Sequence, residues 1–254
     1  MLQAERLEKI KEHLVKNEFA DIKKLAELLD VSTATIRRSL KRLEEEKIVE
    51  MTHGGAVLSK KGSLSEYPYL IKRQMNSEEK RRIAREAVRQ VHKKQSIFLD
   101  SSSTVYEMTR FLTALRSVTI ATNDILIAGE LTNAEDLTVT VLGGSLRMHY
   151  YTLTGYFAEQ LMKDMCFDHA FIGIDSISLN SGLMITNIEE VQIKRKVVAA
   201  SKNVVVLCDH SKFEQNSFLT ICGFDEVDMI ITGRELDEKI FDRYTERGIN
   251  LVLV

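Results

Sequence analysis

The chain reads as an α/β protein in two parts: a small helical unit closed by a hairpin, then a mostly parallel, Rossmann-like sheet covered by helices. Three observations predict this. Apolar residues recur at helical period between Leu7 and Leu43, interrupted only by short breaks. From residue 96 onward, short β-branched runs alternate with helical stretches, the pattern of strands buried on both faces of a parallel sheet. Charge also separates along the chain. The net charge of −2 conceals eleven basic against eleven acidic residues over 1–58, eleven against four over 59–95, and thirteen against twenty-two over 96–254. A basic middle and an acidic rear point to different partners for the two parts.

Length and composition bound the rest. With 254 residues, 44% hydrophobic and both charge signs mixed, the chain is expected to fold as one large or two ordinary domains. No run of about 18 apolar residues occurs, so no membrane span is expected. The opening MLQAERLEKIKEHL is charged and amphipathic, unlike a secretory signal, which points to the cytoplasm. Cys166, Cys208 and Cys222 are odd in number, widely spaced and set among apolar neighbours, as buried reduced thiols would be. Without a CxxC pair or a Cys/His cluster, neither a metal nor a cofactor is expected.

Leu7, Ile10 and Leu14 give the first helix, ending near Asn17. Asp21 caps a second, which carries Ile22, Leu25, Ala26, Leu28 and Leu29. After Asp30-Val31, Ser32 caps a third, and over 31–43 (VSTATIRRSLKRL) the residues Ile36, Leu40 and Leu43 form one apolar stripe. A rotation of about 100° per residue puts Arg38 and Lys41 opposite that stripe, flanked by Arg37 and Arg42. Charge alone leaves a solvated helix and an anion-facing helix equally open. Two short helices joined by so tight a turn form a helix-turn-helix, and the second helix of that unit enters the major groove of duplex DNA. Thr33, Thr35, Arg37 and Arg38 then face base edges, Lys41 and Arg42 face phosphates, and Ser32 at the helix start belongs to the same DNA-binding set. Ile48-Val49-Glu50-Met51, a His53-Gly54-Gly55 turn and Ala56-Val57-Leu58 read as a hairpin wing. His53 either reaches a phosphate or the minor groove, or is an ordinary exposed turn residue.

Residues 2–58 resemble the DeoR-type winged helix-turn-helix repressors. The resemblance is carried by ERLEKI, LAELLDVS, TIRRSLKRLEEE and THGGAVL. It departs from the family where Ser39 replaces the usual Asp and Lys47 replaces the usual Gly after the third helix. The domain division expected is a winged helix-turn-helix over 1–58, a linker over 59–76 holding the sole proline, Pro68, and an effector-sensing domain over 77–254. Operators for such readers carry two half-sites, so a homodimer or homotetramer is expected.

A helix should run from Ser77 to about His92, burying Ile83, Ala84, Ala87, Val88 and Val91. Its basic face, with Lys80, Arg81, Arg82, Arg85 and Arg89, either touches DNA or is solvated. Strand-like runs then appear at 96–99, 118–121, 137–142, 169–172, 204–208, 229–231 and 249–254, with helical stretches at 103–113, 125–131, 157–163, 189–200 and 237–247. Ligands of such sheets bind beyond the carboxyl ends of the strands. There stand Asp100-Ser101-Ser102-Ser103-Thr104, suited to a phosphate or simply a serine-rich cap, and Thr122-Asn123-Asp124. Leu142-Gly143-Gly144-Ser145 follows with Arg147 nearby, then Gly173-Ile174-Asp175 and Cys208-Asp209-His210-Ser211-Lys212.

This half also resembles the family, whose sensor domain is similar to sugar-phosphate isomerases turned to ligand sensing. DSSST, TND, LGG, FIGIDSIS, SGLMITNIEE and CDHSKF carry the likeness, with Ser102 and Ser176 where glycines are usual. The resemblance implies effector contacts at Asp100, Ser101, Ser102, Ser103, Thr104, Asn123, Gly144, Asp175, Lys194, Asp209 and Lys212. In such a site Lys212, Arg147 and the serine loop would meet phosphate, and the carboxylates with Asn123 would meet sugar hydroxyls. Lys194 can instead pair with Glu190 one turn earlier on its helix. The function implied is a transcriptional repressor of sugar-metabolism genes, binding double-stranded operator DNA and a phosphorylated sugar effector. The alternative is an isomerase-like enzyme with an accessory DNA-binding domain, using Asp100, Asp175, His210 and Lys212 for acid–base chemistry.

Overall fold

A computed structural model describes residues 2–17, 19–59 and 67–254. The chain divides into two compact units, Met1–Met75 and Asn76–Val254.

In the first unit, α1 (Gln3–Asn17) turns Leu7, Ile10 and Leu14 inward. A short strand, β1 (Phe19–Asp21), precedes α2 (Ile22–Leu28), whose cap Asp21 accepts the Lys24 N–H at 2.9 Å. The α2–α3 turn closes with Asp30 in the left-handed region at φ +50°, while the Val31 N–H reaches the Ala26 carbonyl at 3.0 Å. That geometry is a Schellman end, and Asp tolerates the left-handed conformation better than most residues. α3 (Thr33–Glu45) follows. It ends on a second Schellman motif, with Lys47 at φ +58°, its N–H on Glu44 O at 2.9 Å and the Ile48 N–H on Leu43 O at 2.8 Å. Buried Leu43 and Ile48 supply the apolar contact of that motif. Lys47 therefore sits in the conformation for which the family's usual glycine is suited.

β2 (Val49–Thr52) and β3 (Gly55–Leu58) form the hairpin, and β1 adds a third antiparallel strand in the order β1-β3-β2. Gly55 is required by that addition, since a Cβ there would lie 2.3 Å from the Ala20 carbonyl oxygen. The expected linker is partly structured. Residues 60–66 lie outside the described residues, but α4 (Tyr69–Gln74) is helical and buries Ile71 in the same core as α1, α2 and α3. A six-residue helix with so few buried side chains has too little length to show a period.

The second unit opens with α5 (Ser77–Val88), shorter than expected. Then come β4 (Ser96–Leu99), α6 (Ser103–Tyr106), α7 (Thr109–Leu112), β5 (Val118–Thr122), α8 (Ile125–Glu130) and β6 (Leu137–Val141). The helix expected over 103–113 is thus two short pieces. β7 (Ser145–Arg147) and β8 (Thr152–Thr154) make a hairpin leading into α9 (Tyr156–Leu161). β9 (His169–Ile172), β10 (Ser176–Ser178), β11 (Gly182–Ile185), α10 (Ile188–Ala199), β12 (Val204–Leu207), β13 (Leu219–Cys222), β14 (Met229–Thr232), α11 (Glu238–Thr245) and β15 (Leu251–Leu253) complete the chain.

All seven apolar runs enter one parallel sheet in the order β15-β14-β12-β9-β4-β5-β6. Alternation along β4 shows why both faces are apolar: Ile97 and Leu99 join the core under α5, and Phe98 joins the core under α10. The chain progresses in opposite directions from β4 and β9, so the topological switch point lies between those two strands. An antiparallel sheet, β10-β11-β13, stands apart from the main one. Of the cysteines, Cys208 and Cys222 are buried free thiols, whereas Cys166 is exposed, contrary to expectation. No helix among the described residues is long and apolar enough to cross a membrane.

Candidate functional site

Two groups of residues stand out, one on each unit. On α3, Ile36, Leu40 and Leu43 are fully buried, while Arg37, Arg38, Lys41 and Arg42 are exposed. Ser32 accepts the Thr35 N–H at 3.2 Å, and the Ser32 and Thr35 hydroxyls lie 2.9 Å apart. Thr33 is exposed at the start of the helix, and Thr35 is half-buried. Arg42 pairs with Glu46 one turn on at 3.2 Å, an exposed contact worth a few tenths of a kcal/mol and easily exchanged. Ser39 is buried; its hydroxyl accepts from Arg6 Nε at 2.9 Å and donates to Thr35 O at 3.1 Å, tying α1 to α3. His53 is exposed in the two-residue hairpin turn, and the Gly54 carbonyl beside it receives the Ile22 N–H at 3.0 Å, which holds the turn against the start of α2.

On the second unit, the parallel sheet brings the polar strand endings to one edge. At the switch point, the buried Asp100 carboxylate accepts the Gly173 N–H at 2.9 Å and a hydrogen bond from Lys194, whose ammonium also reaches Gly173 O at 3.1 Å. Burial pushes the Lys194 ammonium toward losing its proton, but the Asp100 and Glu190 carboxylates hold its pKa above the ordinary lysine value. Lys194 is therefore a charged group sealed at 3% exposure. Glu190, one turn before Lys194 on α10, also takes Arg147 at 2.7 Å, and the Arg147 guanidinium lies 3.7 Å from the centre of the Tyr150 ring.

Ser101 links the next strand end: its N–H donates to Asn123 Oδ1 at 3.1 Å and its hydroxyl to Asp124 Oδ2 at 3.0 Å, with Thr152 Oγ1 2.6 Å away. Asp124 is fully buried, and burial raises its pKa to about 6 despite hydrogen bonds from Ile127, Ser101 and Leu126. Ser102 caps α6 by accepting the Thr104 N–H at 3.2 Å and fills the space before Gly173, where a Cβ would meet its oxygen at 2.2 Å. Ser176 donates to Ser217 at 2.8 Å. The serines in place of glycines therefore do both things open to them, adding hydrogen bonds and filling space. Gly144, at φ +151°, passes so close to β8 that a Cβ would lie 2.5 Å from Thr154 O. Thr104 is buried, and Asp175 accepts the Thr186 N–H at 2.9 Å.

Asp209 is the centre of a second polar knot. It accepts from Asn76 at 3.0 Å and from Ser211 N–H at 3.1 Å, with Lys80 Nζ 3.8 Å away. Burial alone would raise its pKa, but Lys212, Lys80 and the hydrogen bonds from Ser211 and Asn76 bring it below the usual carboxylate value. Lys80 also donates to Ser103 at 3.2 Å, joining this knot to the serine loop. Lys80, placed by the sequence reading on a solvated or DNA-facing side, is 3% exposed. Its spacing of three, four and seven from Ile83, Ala84 and Ala87 was the available signal. The rest of that face is also engaged within the unit: Arg82 with Glu235, Arg81 with Glu78, Arg89 with Glu86, and Arg85 over Phe111.

Glu79, Asp209 and His210 each place one potential ligand atom within 4.8 Å of the others. Glu79 is occupied by His210 Nδ1 and by the His210 N–H, both at 2.7 Å, and by the Gly233 N–H at 3.2 Å. With the Lys80 ammonium beside Asp209, this cluster is a hydrogen-bonded knot rather than a donor set awaiting a cation. Thr152 and Asn76 were not singled out from the sequence, because their roles depend on contacts between distant elements.

Comparison with known proteins matches both parts. Residues 6–62 match the DeoR-like helix-turn-helix domain, and residues 75–234 match the DeoR C terminal sensor domain. The chain is 34% identical to the HTH-type transcriptional regulator GlpR of Haloferax volcanii, over 99% of this chain and 98% of that protein. It is 32% identical to the HTH-type transcriptional repressor GlcR of Bacillus subtilis (100% and 97% covered), and 28% identical to the glycerol-3-phosphate regulon repressor of Escherichia coli K12 (100% of both). Among solved structures, ribose 5-phosphate isomerase A of Methanocaldococcus jannaschii overlaps 54% of this chain and 55% of its own, at 21% identity and a TM-score of 0.40.

Proposed function

This chain belongs to the DeoR family of helix-turn-helix transcriptional regulators, and on that footing we propose that it is a repressor of sugar-metabolism genes that reads operator DNA through α3 and releases it in response to a phosphorylated sugar. The observation that carries the DNA half is the division of α3 into a fully buried apolar stripe and an exposed row of Arg37, Arg38, Lys41 and Arg42. Thr33, Arg37 and Arg38 contact base edges with Thr35 beside them, Lys41, Arg42 and His53 contact phosphates, and Ser32 holds the helix start. The functional domains are a winged helix-turn-helix and an effector domain built on the parallel sheet. The protein works as a homo-oligomer in the cytoplasm.

The effector binds at the carboxyl edge of the sheet, over the switch point between β4 and β9. Asp100 to Thr104, Asn123, Gly144, Asp175, Lys194, Asp209 and Lys212 surround it, with Lys212 and the serine loop toward phosphate. Arg147, already held by Glu190, serves this site by fixing the β7–β8 hairpin to α10. The role is sensing rather than turnover: the Asp100 carboxylate is tied down by Lys194 and Gly173, which suits a binding wall better than a proton carrier.

Selection of tight-binding duplexes from a random library tests the first half. Arg37→Ala with Arg38→Ala should lose the selected sequence preference at matched salt, and unchanged preference would overturn the assignment of α3. Thermal shift against glycerol 3-phosphate and pentose and hexose phosphates tests the second. A ligand at a hundredfold excess over its Kd stabilises by about 2.7 kcal/mol, so no shift with any of them would overturn the sensor assignment.

A further inference from the structure

Asn76 is the first residue of the second unit, directly after the boundary at Met75, and three features set it apart. Its backbone is left-handed, at φ 51° and ψ 34°, a conformation that asparagine tolerates but that persists only where the surroundings hold it. It stands at the N-cap of α5, yet its side chain makes no cap hydrogen bond, whereas Asp21, Ser32, Asp124, Asn187 and Asp237 each cap their own helix. The amide donates instead to Oδ1 of buried Asp209, 133 residues away, at 3.0 Å. The rest of this turn is tied to the same region. Lys80, whose N–H closes on the Asn76 carbonyl at 3.0 Å, reaches Asp209 and Ser103, and Glu79 accepts from His210 and Gly233. The start of α5, where the chain enters from the first unit, is thus anchored on the strand endings themselves.

We propose that Asn76 is the latch by which an occupied crevice acts on the DNA-binding unit: a ligand hydroxyl that donates to Asp209 displaces the Asn76 amide and frees the backbone at the junction of the two units. The inference rests on the reading of the crevice as an effector site and of α3 as a DNA reader. Exclusion follows from the acceptor. Asp209 Oδ1 already receives the Asn76 amide, the Ser211 N–H at 3.1 Å and the Ser211 hydroxyl. A carboxylate oxygen has two lone pairs, so a further donor must displace one of the three. Both Ser211 donors sit two residues along the chain from Asp209 and are held there by the backbone. Asn76 comes from a distant element and is the partner that leaves, while the Lys80 ammonium 3.8 Å from Oδ2 keeps the carboxylate in place. Once released, Asn76 loses the contact that holds it left-handed. Its φ and ψ set the direction in which the chain leaves α5 toward α4, and a hinge is such an element-terminal residue. Ligand and DNA then bias one equilibrium in opposite directions, and the coupling is reciprocal.

Affinity of the full-length protein for its selected duplex, measured without ligand, tests the latch. Asn76→Gly keeps the left-handed backbone and removes the amide, and Asn76→Asp keeps the size but sets a second carboxylate against Asp209. Both should lose about 10-fold in duplex affinity with unchanged circular dichroism. Adding Asp209→Asn to Asn76→Asp restores an amide facing a carboxylate with the roles exchanged, and should recover most of the loss. Asn76→Gly, at a position suited to glycine, carries the test if the double variant does not fold. A second measurement adds glycerol 3-phosphate and pentose and hexose phosphates. Any of these that shifts wild-type melting should weaken wild-type duplex binding and leave that of Asn76→Gly within about twofold. Wild-type duplex affinity in both single variants overturns the latch, as does a folded double variant without recovery. So does a ligand that releases DNA from Asn76→Gly as it does from the wild type. A wild type that selects no duplex overturns the DNA reading and the latch with it. If no sugar phosphate shifts wild-type melting, the sensor reading falls, and the ligand-free duplex affinities still judge the latch.

Discussion

Lys194 on α10 and Asp100 at the end of β4 form a buried ion pair across the switch point of the sheet, with the Gly173 backbone closing both ends. Lys194 keeps its proton: burial works against the charge, but the Asp100 and Glu190 carboxylates hold the Lys194 pKa above its ordinary value. Lys194→Ala leaves a buried carboxylate without its counter-ion and should lower stability by about 3–5 kcal/mol in urea denaturation. Lys194→Met with Asp100→Asn removes both charges and should recover most of that loss. Equal losses in the single and double variants would show that the pair is not coupled.

Lys47 holds the left-handed position that ends α3. Lys47→Gly relieves a side-chain penalty while giving back some unfolded-state entropy, so a net gain of about 0.5–1 kcal/mol is expected in a melt that reports the first unit. Lys47→Ala keeps the penalty and should gain nothing. Gain in both, or in neither, would mean that the left-handed conformation is not what limits this turn.

Asp124 has a folded pKa of about 6 against an ordinary 3.8, raised chiefly by burial. The folded state holds this proton longer than the unfolded chain, so the group's contribution is fully present below pH 4 and is lost as pH rises through 6, by an amount of order 2–3 kcal/mol. Asp124→Asn keeps a capping oxygen for α8 and removes the titration. The stability difference, variant minus wild type, should therefore grow between pH 4 and 6.5 and then level off. Asp168, lowered to about 2 chiefly by its hydrogen bond from Lys202, and Asp209 slope the opposite way, which is why the difference is the quantity to measure.

Arg38 and Lys41 are both exposed on α3 but are assigned different work. Lys41→Ala should weaken binding to all duplexes alike and reduce the slope of log K against log salt by about 1. Arg38→Ala should cost about 1–3 kcal/mol on the preferred sequence and relax preference at one position. Identical salt slopes and preferences for the two variants would remove the distinction between phosphate and base contacts.

The sequence by itself determined the elements whose side chains repeat. The stripe of Ile36, Leu40 and Leu43 and the caps Asp21 and Ser32 are local, and each of the seven apolar runs is a strand, the five inner ones largely buried and the edge strands β6 and β15 only in part. Elements held by distant partners stayed hidden: β1 exists because β3 offers it an edge, α4 because Ile71 finds the first core, and β10-β11-β13 because the strands find each other. The proposed effector crevice divides in the same way. Strand polarity alone gathers its polar residues, since every strand ending in a parallel sheet falls on one edge. Which charges neutralise which was decided only in three dimensions, where Asp100 takes Lys194, Glu190 takes Arg147 and a lysine from the apolar side of α5 reaches Asp209. Local periodicity is written in neighbouring residues, whereas an ion pair between residues 94 positions apart is set by packing, and no spacing along the chain encodes it.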